Sequence, residues 1–543
     1  MKFIFFMNKK GILVTGVFLT LLSVFSFGQG EMPRLAAGNG GVELLVDGKP
    51  FVVLGGELGN SSASSVGYLA PFWDKFTAMH LNTLLSPVYW DLMEPAEGRF
   101  DFSLVDSLVG SAQQHRLKLI LLWFGSWKNS MSCYAPGWIK TQPERFPRAR
   151  NNAGRNMEIL SAFSRENMAA DCTAFAALMR HLKQVDKRHT VIMVQVENEI
   201  GMLEAARERT AAADSVFAGE VPGALMRYLK EKRDSLVPEL KERWAGTNFT
   251  DRGSWENVFG KGLTTEEIFQ AWYYASYANA VAGAGKREYA LPMYVNAALN
   301  HRNVLPGEYP SAGPLPQVMD IWQAAAPAID ILSPDFYNPR FEWYCELYTR
   351  RNNPLLIPEI AASPANAARV FFAVGHYHAL GFSPFSIESV VQAAEEPVGK
   401  SYGILRQLVP ILRKGQRMDG VLLDSGKQKQ TLVFGDYELT VAHEYTLGWS
   451  PGSKQGNWPQ SGALIIEERP GEFIIAGTGV VITFRTVGAA DRTAGILKAE
   501  EGTYDNGIWR PGRQMNGDQD HQGRHIRIAV GDWGIQRVKL YTY

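Results

Sequence analysis

Carboxylate side chains recur in this 543-residue chain at one kind of place, the end of a short apolar, β-rich run. Glu57, Asp91 with Glu94, Glu199, Asp335 with Tyr337, Glu359 and Glu388 all stand where such a run gives way to polar residues. Singly, each has an ordinary explanation, because a carboxylate ending a buried strand also caps a helix or pairs with a cation. Together they surround one face rich in carboxyl groups and aromatic rings. The cysteines, Cys133, Cys172 and Cys345, permit one disulfide at most and have no metal-ligand spacing, so no metal and no cofactor is expected. Such a face suits cleavage of a glycosidic bond. One carboxyl stays protonated to serve the leaving oxygen, and an ionised one attacks the anomeric carbon from about 5 to 5.5 Å away when configuration is retained.

Reactive groups of this kind need a scaffold that brings strand ends together. Between Pro50 and Glu388, apolar runs alternate with polar stretches and longer amphipathic segments. The candidate strands are Phe51 to Glu57, Leu81 to Trp90, Leu117 to Trp127, Val191 to Glu199, Pro292 to Ala298, Ile329 to Tyr337, Leu355 to Ile360 and Phe382 to Glu388. Crossover helices are predicted over Pro71 to His80, Leu104 to His115, Asp171 to Val185 and Thr265 to Ala284, with a helical excursion from about Met202 to Gly262. Eight alternating runs predict an α/β fold, a (β/α)8 TIM barrel, whose fourth and seventh strand ends face each other across the mouth. After about Arg413 the pattern becomes period-two runs between Gly, Asp and Asn turns, which predicts a C-terminal all-β sandwich. The expected division is a barrel over residues 30–412 and a sandwich over 413–543.

Ahead of the barrel, Lys9 and Lys10 precede an apolar run from Gly11 to Phe27 that ends in Ser26, Gly28 and Gln29. This is the pattern of a secretory signal over residues 1–29, and Met7 is an alternative start for it. The run is short for a bilayer span, so a periplasmic or secreted protein without stable membrane insertion is expected. Lys+Arg and Asp+Glu are equal at 55 each, giving no field to attract nucleic acid or an anionic membrane. A neutral carbohydrate is the expected partner; the sequence is silent on oligomeric state.

The string Gln195-Val196-Glu197-Asn198-Glu199-Ile200-Gly201 resembles that of glycoside hydrolase family 35, whose members carry nearly the same residues at the end of the fourth strand. Trp90 to Phe102 resembles the family's Trp-Asn-x-His-Glu-Pro-x-x-Gly element, and Ala135 to Ile139 its Leu-Pro-x-Trp-Leu element. The resemblance runs from about Val42 to Glu388, with a tail like the β-rich accessory region of one bacterial branch. It implies that Glu199 is the acid/base, that Asn198 binds the sugar's 2-hydroxyl, and that Glu359 is the nucleophile. Strand alternation turns Glu197 the other way.

The chain departs from the family where galactose hydroxyls are held. Its first strand ends Gly55-Gly56-Glu57-Leu58-Gly59-Asn60 in place of Gly-x-x-His-Tyr, and its third in Gly125-Ser126-Trp127 in place of Ala-Glu-Trp. Glu57, Asn129 and Glu388 are candidates to replace the missing contacts, with Tyr89 occupying a family proline position. Trp127, Trp123 and Tyr337 are candidates for the sugar platform, Tyr337 also hydrogen-bonding a carboxylate to keep it ionised, and Phe341 to Tyr344 for the rim. The activity expected is that of a retaining exo-β-galactosidase on oligo- or polysaccharides such as plant cell-wall glycans. The alternatives are another retaining exo-β-glycosidase of the same clan and a non-catalytic glycan-binding protein.

Overall fold

The computed structural model describes residues 30–38, 41–300, 304–412, 415–488 and 491–543. The expected leader lies outside them, and no helix among them is long and apolar enough to cross a membrane. Eight parallel strands close on themselves in chain order: β1 (Val53–Glu57), β2 (Thr83–Tyr89), β3 (Lys118–Phe124), β4 (Val191–Val196), β5 (Met293–Ala298), β6 (Ile331–Phe336), β7 (Leu356–Ile360) and β8 (Gly381–Pro384). Each predicted run contains one of these strands, or most of one. The helices between and after them are α1 (Trp73–Ala78), α2 (Ser103–Gln114), α3 (Arg165–Val185), α4 (Leu263–Glu288), α5 (Met319–Ala325), α6 (Phe341–Tyr348), α7 (Asn366–Tyr377) and α8 (Pro397–Leu408). The predicted α3 began too late, at Asp171. Ser164 caps the helix by accepting from Asn167 N–H, and its first turns are too polar to show in the apolar period. The excursion after β4 folds as short helices over Ala211–Ala218, Gly223–Lys232, Pro238–Ala245 and Trp255–Phe259.

Side-chain alternation divides the barrel interior into two chemistries. Toward the strand starts, Val53, Leu85, Ile120, Met193, Ile331 and Leu356 fill it with apolar volume. Leu44 and Val46 join that cluster from a small antiparallel sheet (Arg34–Ala37, Val42–Val46 and Lys49–Pro50). This sheet was missed in the sequence, where the first strand began at Phe51. Toward the strand ends the inward residues are polar, and function is placed there in such barrels.

Beyond the barrel, β9 (Met418–Leu423), β10 (Lys429–Phe434), β11 (Tyr437–His443), β12 (Ser461–Arg469), β13 (Glu472–Thr478), β14 (Val480–Thr486), β15 (Ala494–Asp505), β16 (Ile508–Gln514), β17 (Ile526–Ile528) and β18 (Gly534–Thr542) form two antiparallel sheets. Their orders are β9-β12-β13-β18-β15-β16 and β10-β11-β14-β17. Val421, Ala463, Ile465, Phe473 and Ile475 face the second sheet in a common core with Leu439, Val441 and Ile482. Their alternates Leu422, Leu464, Ile466, Ile474 and Ala476 belong to the barrel's own core. The larger sheet is therefore buried on both faces. Its cover on the barrel side is α7, and the approach is close. A Cβ on Gly462 would lie 2.6 Å from the Ala368 carbonyl oxygen, one on Gly420 2.7 Å from that of Phe372, and one on Gly375 2.7 Å from Gly420 Cα. No flexible side chain is there to give way. Gly420→Val and Gly462→Val are each expected to lower unfolding free energy by about 1–3 kcal/mol through overpacking, read from chemical denaturation; an unchanged midpoint would contradict this helix-on-sheet contact.

Candidate active site

Four carboxyl groups converge at the C-terminal mouth of the barrel: Glu57 at the end of β1, Glu199 just past β4, Asp335 on β6 and Glu359 on β7. Strand register alone sets Asp335 beside Glu359, as direct Cα partners. Glu199 arrives differently. β4 stops at Val196, and Glu197 and Glu199 both adopt left-handed backbone, with φ of 60° and 45°. Non-glycine residues enter that region at a cost of about 1–3 kcal/mol each, and the kink sends Glu197 out of the barrel while Asn198 and Glu199 meet the mouth.

Amides fix this arrangement. Glu199 N–H donates to Asn296 Oδ1 (3.0 Å), and Asn296 Nδ2 donates to Asp335 Oδ2 (2.7 Å) and Asn198 Oδ1 (3.3 Å). Gln195 Nε2 donates to Asn198 Oδ1 (2.8 Å), and Asn198 Nδ2 donates to the Lys128 carbonyl (2.6 Å). Lys128 is nearly buried, with its ammonium 5.1 Å from the centre of the Phe124 ring, and its charge acts on Glu57, Glu199 and Glu359.

So much negative charge in so little water cannot all be ionised. Burial, then the facing Glu359 charge, lifts Glu57 well above the usual carboxyl range, and burial with Glu359, Glu199 and Glu57 does the same to Asp335. These two are the deepest, and each serves as a proton donor, Glu57 to Glu359 and Asp335 to Glu199. Burial raises Glu199, opposed by Lys128 and the Asp335 hydrogen bond. Glu359 is pushed up to about 7 by burial and by the Glu199 charge, against the Tyr337 hydroxyl, Lys128 and Glu57. Tyr337 O–H donates to Glu359 Oε1 from a ring that is half exposed. Two donors thus converge on Glu359, which favours its ionised form once Glu199 carries a proton.

Of the residues anticipated for substrate, Asn198, Glu57 and Tyr337 stand in this cluster. Trp127 and Trp123 do not. Both indoles are completely buried, Trp127 edge-on to Tyr274 and Tyr277 at 5.3 and 4.8 Å, and Trp123 donating to Asp171 at 2.9 Å. Neither offers a face to a sugar. Asn129 turns its carbonyl into its own loop, accepting from Met131 N–H (2.9 Å) and Ser132 Oγ (3.2 Å), and shapes the segment that presents Lys128. Glu388 braces two loops: its Oε1 accepts from Gly59 N–H (2.9 Å) and Ser62 Oγ (2.5 Å), and its Oε2 is buried without a donor. Tyr89 is buried against Phe124 and Tyr134 and packs as part of the wall of rings there. Phe341 to Tyr344 opens helix α6, with only Trp343 exposed among its rings. Lys128 and Asn296 were missed. Their signal was a polar residue inside or just after an apolar strand run, and both runs were read for carboxylates alone. Among the described residues, no group of three or more His, Cys, Asp or Glu is arranged to hold a metal ion.

Comparison with known proteins gives two family models. Residues 73–268 match the model for β-galactosidase of glycoside hydrolase family 42, a span that includes Asn198 and Glu199 and stops short of Glu359. Residues 398–527 match a domain of unknown function, DUF5597. The first match does not support the family 35 assignment implied by the motifs; the matching model is that of family 42, and both are β-galactosidase families. Among curated proteins, β-galactosidase bgaB of Geobacillus kaustophilus is 26% identical over 163 residues, 30% of this chain and 21% of that protein. A β-galactosidase of an Arthrobacter species is 25% identical over 187 residues, 33% of this chain and 24% of that protein. The chain therefore aligns with under a quarter of these relatives' length. Among solved structures, a β-galactosidase from Rahnella sp. R3 has a TM-score of 0.44 at 14% identity, covering 67% of this chain and 57% of that one. The catalytic domain of a Paenibacillus polymyxa β-amylase has a TM-score of 0.45 at 10% identity, covering 65% and 97%.

Lys128→Met tests the electrostatics without reference to activity. The buried carboxyls hold protons in the folded state that the unfolded chain releases at lower pH, so their contribution to stability falls as pH rises through the folded values. Removing the cation that acts on Glu57, Glu199 and Glu359 deepens that fall. The deficit in melting temperature of the variant should be small near pH 5 and widen toward pH 8; a deficit independent of pH would show that Lys128 does not neutralise the cluster.

Proposed function

We propose that this chain is a retaining exo-β-galactosidase, with Glu359 as nucleophile and Glu199 as acid/base. The observation that carries the chemistry is the convergence of Glu199 and Glu359 at one barrel mouth, where burial raises both and the Glu199 charge further raises Glu359. Glu359, with Tyr337 and Glu57 donating to it, attacks the anomeric carbon, and Glu199 gives its proton to the departing oxygen. Glu199, now a base, then takes a proton from the water that releases the sugar. Asn198, locked by Gln195, Asn296 and Lys128, is placed to hold the 2-hydroxyl. Galactose as the sugar is supported by the matching β-galactosidase model and relatives. The Gln195–Gly201 string still resembles family 35, and the two-carboxyl chemistry is the same in either family.

A glycan larger than a disaccharide, such as a plant cell-wall polysaccharide, is supported by the rim. Tyr68, Leu92, Met131, Tyr337, Trp343 and Val391 are exposed, and all lie in segments following barrel strands, where apolar sugar faces would pass. The apolar run from Gly11 to Phe27 supports action in the periplasm or outside the cell. The two-domain division at about residue 413 is part of this reading.

Proton NMR of early hydrolysis by the wild type should show the β-anomer first; the α-anomer first would reject the pairing of Glu199 with Glu359. Glu359→Gly should lose at least about 10³-fold in turnover on every substrate. Glu199→Ala should spare substrates with good leaving groups and yield a β-glycosyl azide when azide is added. If no aryl β-galactoside is cleaved but another β-glycoside is, the sugar is wrong and the mechanism stands. Binding without turnover on a glycan panel would revive the non-catalytic reading. Tyr337→Phe removes a hydrogen bond that lowers the Glu359 pKa, so the acidic limb of kcat/KM should move to higher pH. A limb that stays in place would remove Tyr337 from the mechanism.

A further inference from the structure

Directly behind the mouth, on the outer side of β4, a second carboxyl pair is buried that plays no part in the proposed chemistry. Glu197 and Asp171 are both completely enclosed. Glu197 reaches this layer because of its left-handed backbone, φ 60°. Its Oε2 accepts the Trp127 N–H at 2.8 Å. Asp171, on α3, is saturated with donors: Trp123 Nε1 to Oδ1 (2.9 Å), Ser126 Oγ to Oδ2 (2.5 Å) and Tyr277 O–H to Oδ2 (3.3 Å). Glu197 Oε1 is buried with no donor to accept from, and the carboxyl that the Glu197 side chain meets is Asp171. Two ionised carboxylates cannot hydrogen-bond to each other, and among the described residues no cation is bonded to either. A single proton on Glu197 resolves both facts, because Oε1–H then donates to Asp171, whose other bonds all favour its charge. The titratable groups facing the pair are Glu94 from the segment after β2, Cys133 after β3, Cys172 on α3 and Tyr277 on α4, none of them cationic.

The pair touches the candidate catalytic machinery on both sides through the backbone. Glu197 is the residue before Asn198 and two before Glu199. The N–H it holds is that of Trp127, whose carbonyl accepts Asn198 N–H (3.2 Å) and whose neighbour is Lys128. We propose that Glu197 and Asp171 share one proton, and that this neutralised clamp anchors the strained exit of β4 against the β3 loop, making Glu197 a positioning residue for Asn198, Glu199 and Lys128. The inference rests on the acid/base role given to Glu199 above, but its proton can be tested apart from it.

Three variants decide it. Glu197→Gln keeps a donor toward Asp171 and an acceptor for Trp127 N–H; Glu197→Leu keeps volume and loses both; Asp171→Asn removes the charge that accepts the proton. If Glu197 positions the acid/base, Glu197→Leu should cut kcat/KM by about 100-fold on alkyl β-galactosides, which need protonation of the leaving group. On dinitrophenyl β-galactoside, which does not, the cut should be about 10-fold or less. Glu197→Gln should restore both to within about 3-fold of wild type. Equal losses on the two substrates, or a Gln variant no better than Leu, would overturn the positioning role. The proton is read separately. Wild type carries it when folded and releases it at lower pH when unfolded, so its stability declines with rising pH relative to Glu197→Gln, which has no proton to lose. The melting-temperature advantage of Glu197→Gln over wild type should grow from about pH 5 to pH 8, and in an Asp171→Asn background the growth should shrink, burial alone then raising Glu197. A constant difference would show that the pair holds no shared proton. Should the wild type cleave no β-glycoside at all, the proposed function fails while these melts still judge the clamp, even if Glu197→Leu does not fold.

Discussion

Like charge crowded into the barrel mouth is the constraint to which the rest of the site answers. At an effective dielectric of about 20, two carboxylates 4 Å apart repel by about 4 kcal/mol, and Glu57, Glu199, Asp335 and Glu359 crowd together with Lys128 as a cation acting on Glu57, Glu199 and Glu359. The structure relieves this with protons on the deepest groups and with neutral donors, Asn296 to Asp335 and Tyr337 to Glu359. The same crowding that makes the site expensive to fold gives it two interchangeable ionisation states, which an acid/base and a nucleophile require. Burial is indispensable to this, since water would screen the coupling and let each carboxyl titrate alone.

Backbone geometry at the end of β4 is the second cost. Two left-handed residues bracket Asn198, and only by that kink do three consecutive side chains divide as Glu197 outward, Asn198 and Glu199 toward the mouth. The surrounding groups over-determine the kink: Asn296 holds Glu199 N–H, the Trp127 carbonyl holds Asn198 N–H, and Asp171 with Trp127 N–H holds the Glu197 side chain. The long helices α3 and α4, packed on each other, carry Asp171 and Tyr277 and make that outer wall rigid. The rigid scaffold extends further, because α7 is pinned to β9 and β12 at glycines where backbone meets backbone. The sandwich thereby supports the strand-seven side of the mouth, since α7 directly follows β7 and Glu359.

The sequence by itself determined the barrel, because eight strands buried on both sides must read as apolar runs, and their helices must show one apolar stripe. It likewise determined that carboxylates end those runs, and the Asn198-Glu199 string named the segment that mattered. It did not show the hairpin-like sheet at Arg34–Pro50, whose pieces are too short for a period. What only the tertiary structure decided is which groups share space. Trp127 and Trp123 have the composition of a sugar platform, yet the packing of α3 and α4 encloses them. Lys128 and Asn296 are ordinary residues in the chain and central ones in the mouth, since a charge or an amide has meaning only through its neighbours across the barrel. The outward turn of Glu197 was expected from strand alternation, but alternation would put Glu197 and Glu199 on one face, and it is the left-handed kink past β4 that turns Glu197 out; its partner Asp171 lies on another element, 26 residues earlier. A pairing of that kind is set by how helix packs on strand, which local sequence pattern does not encode.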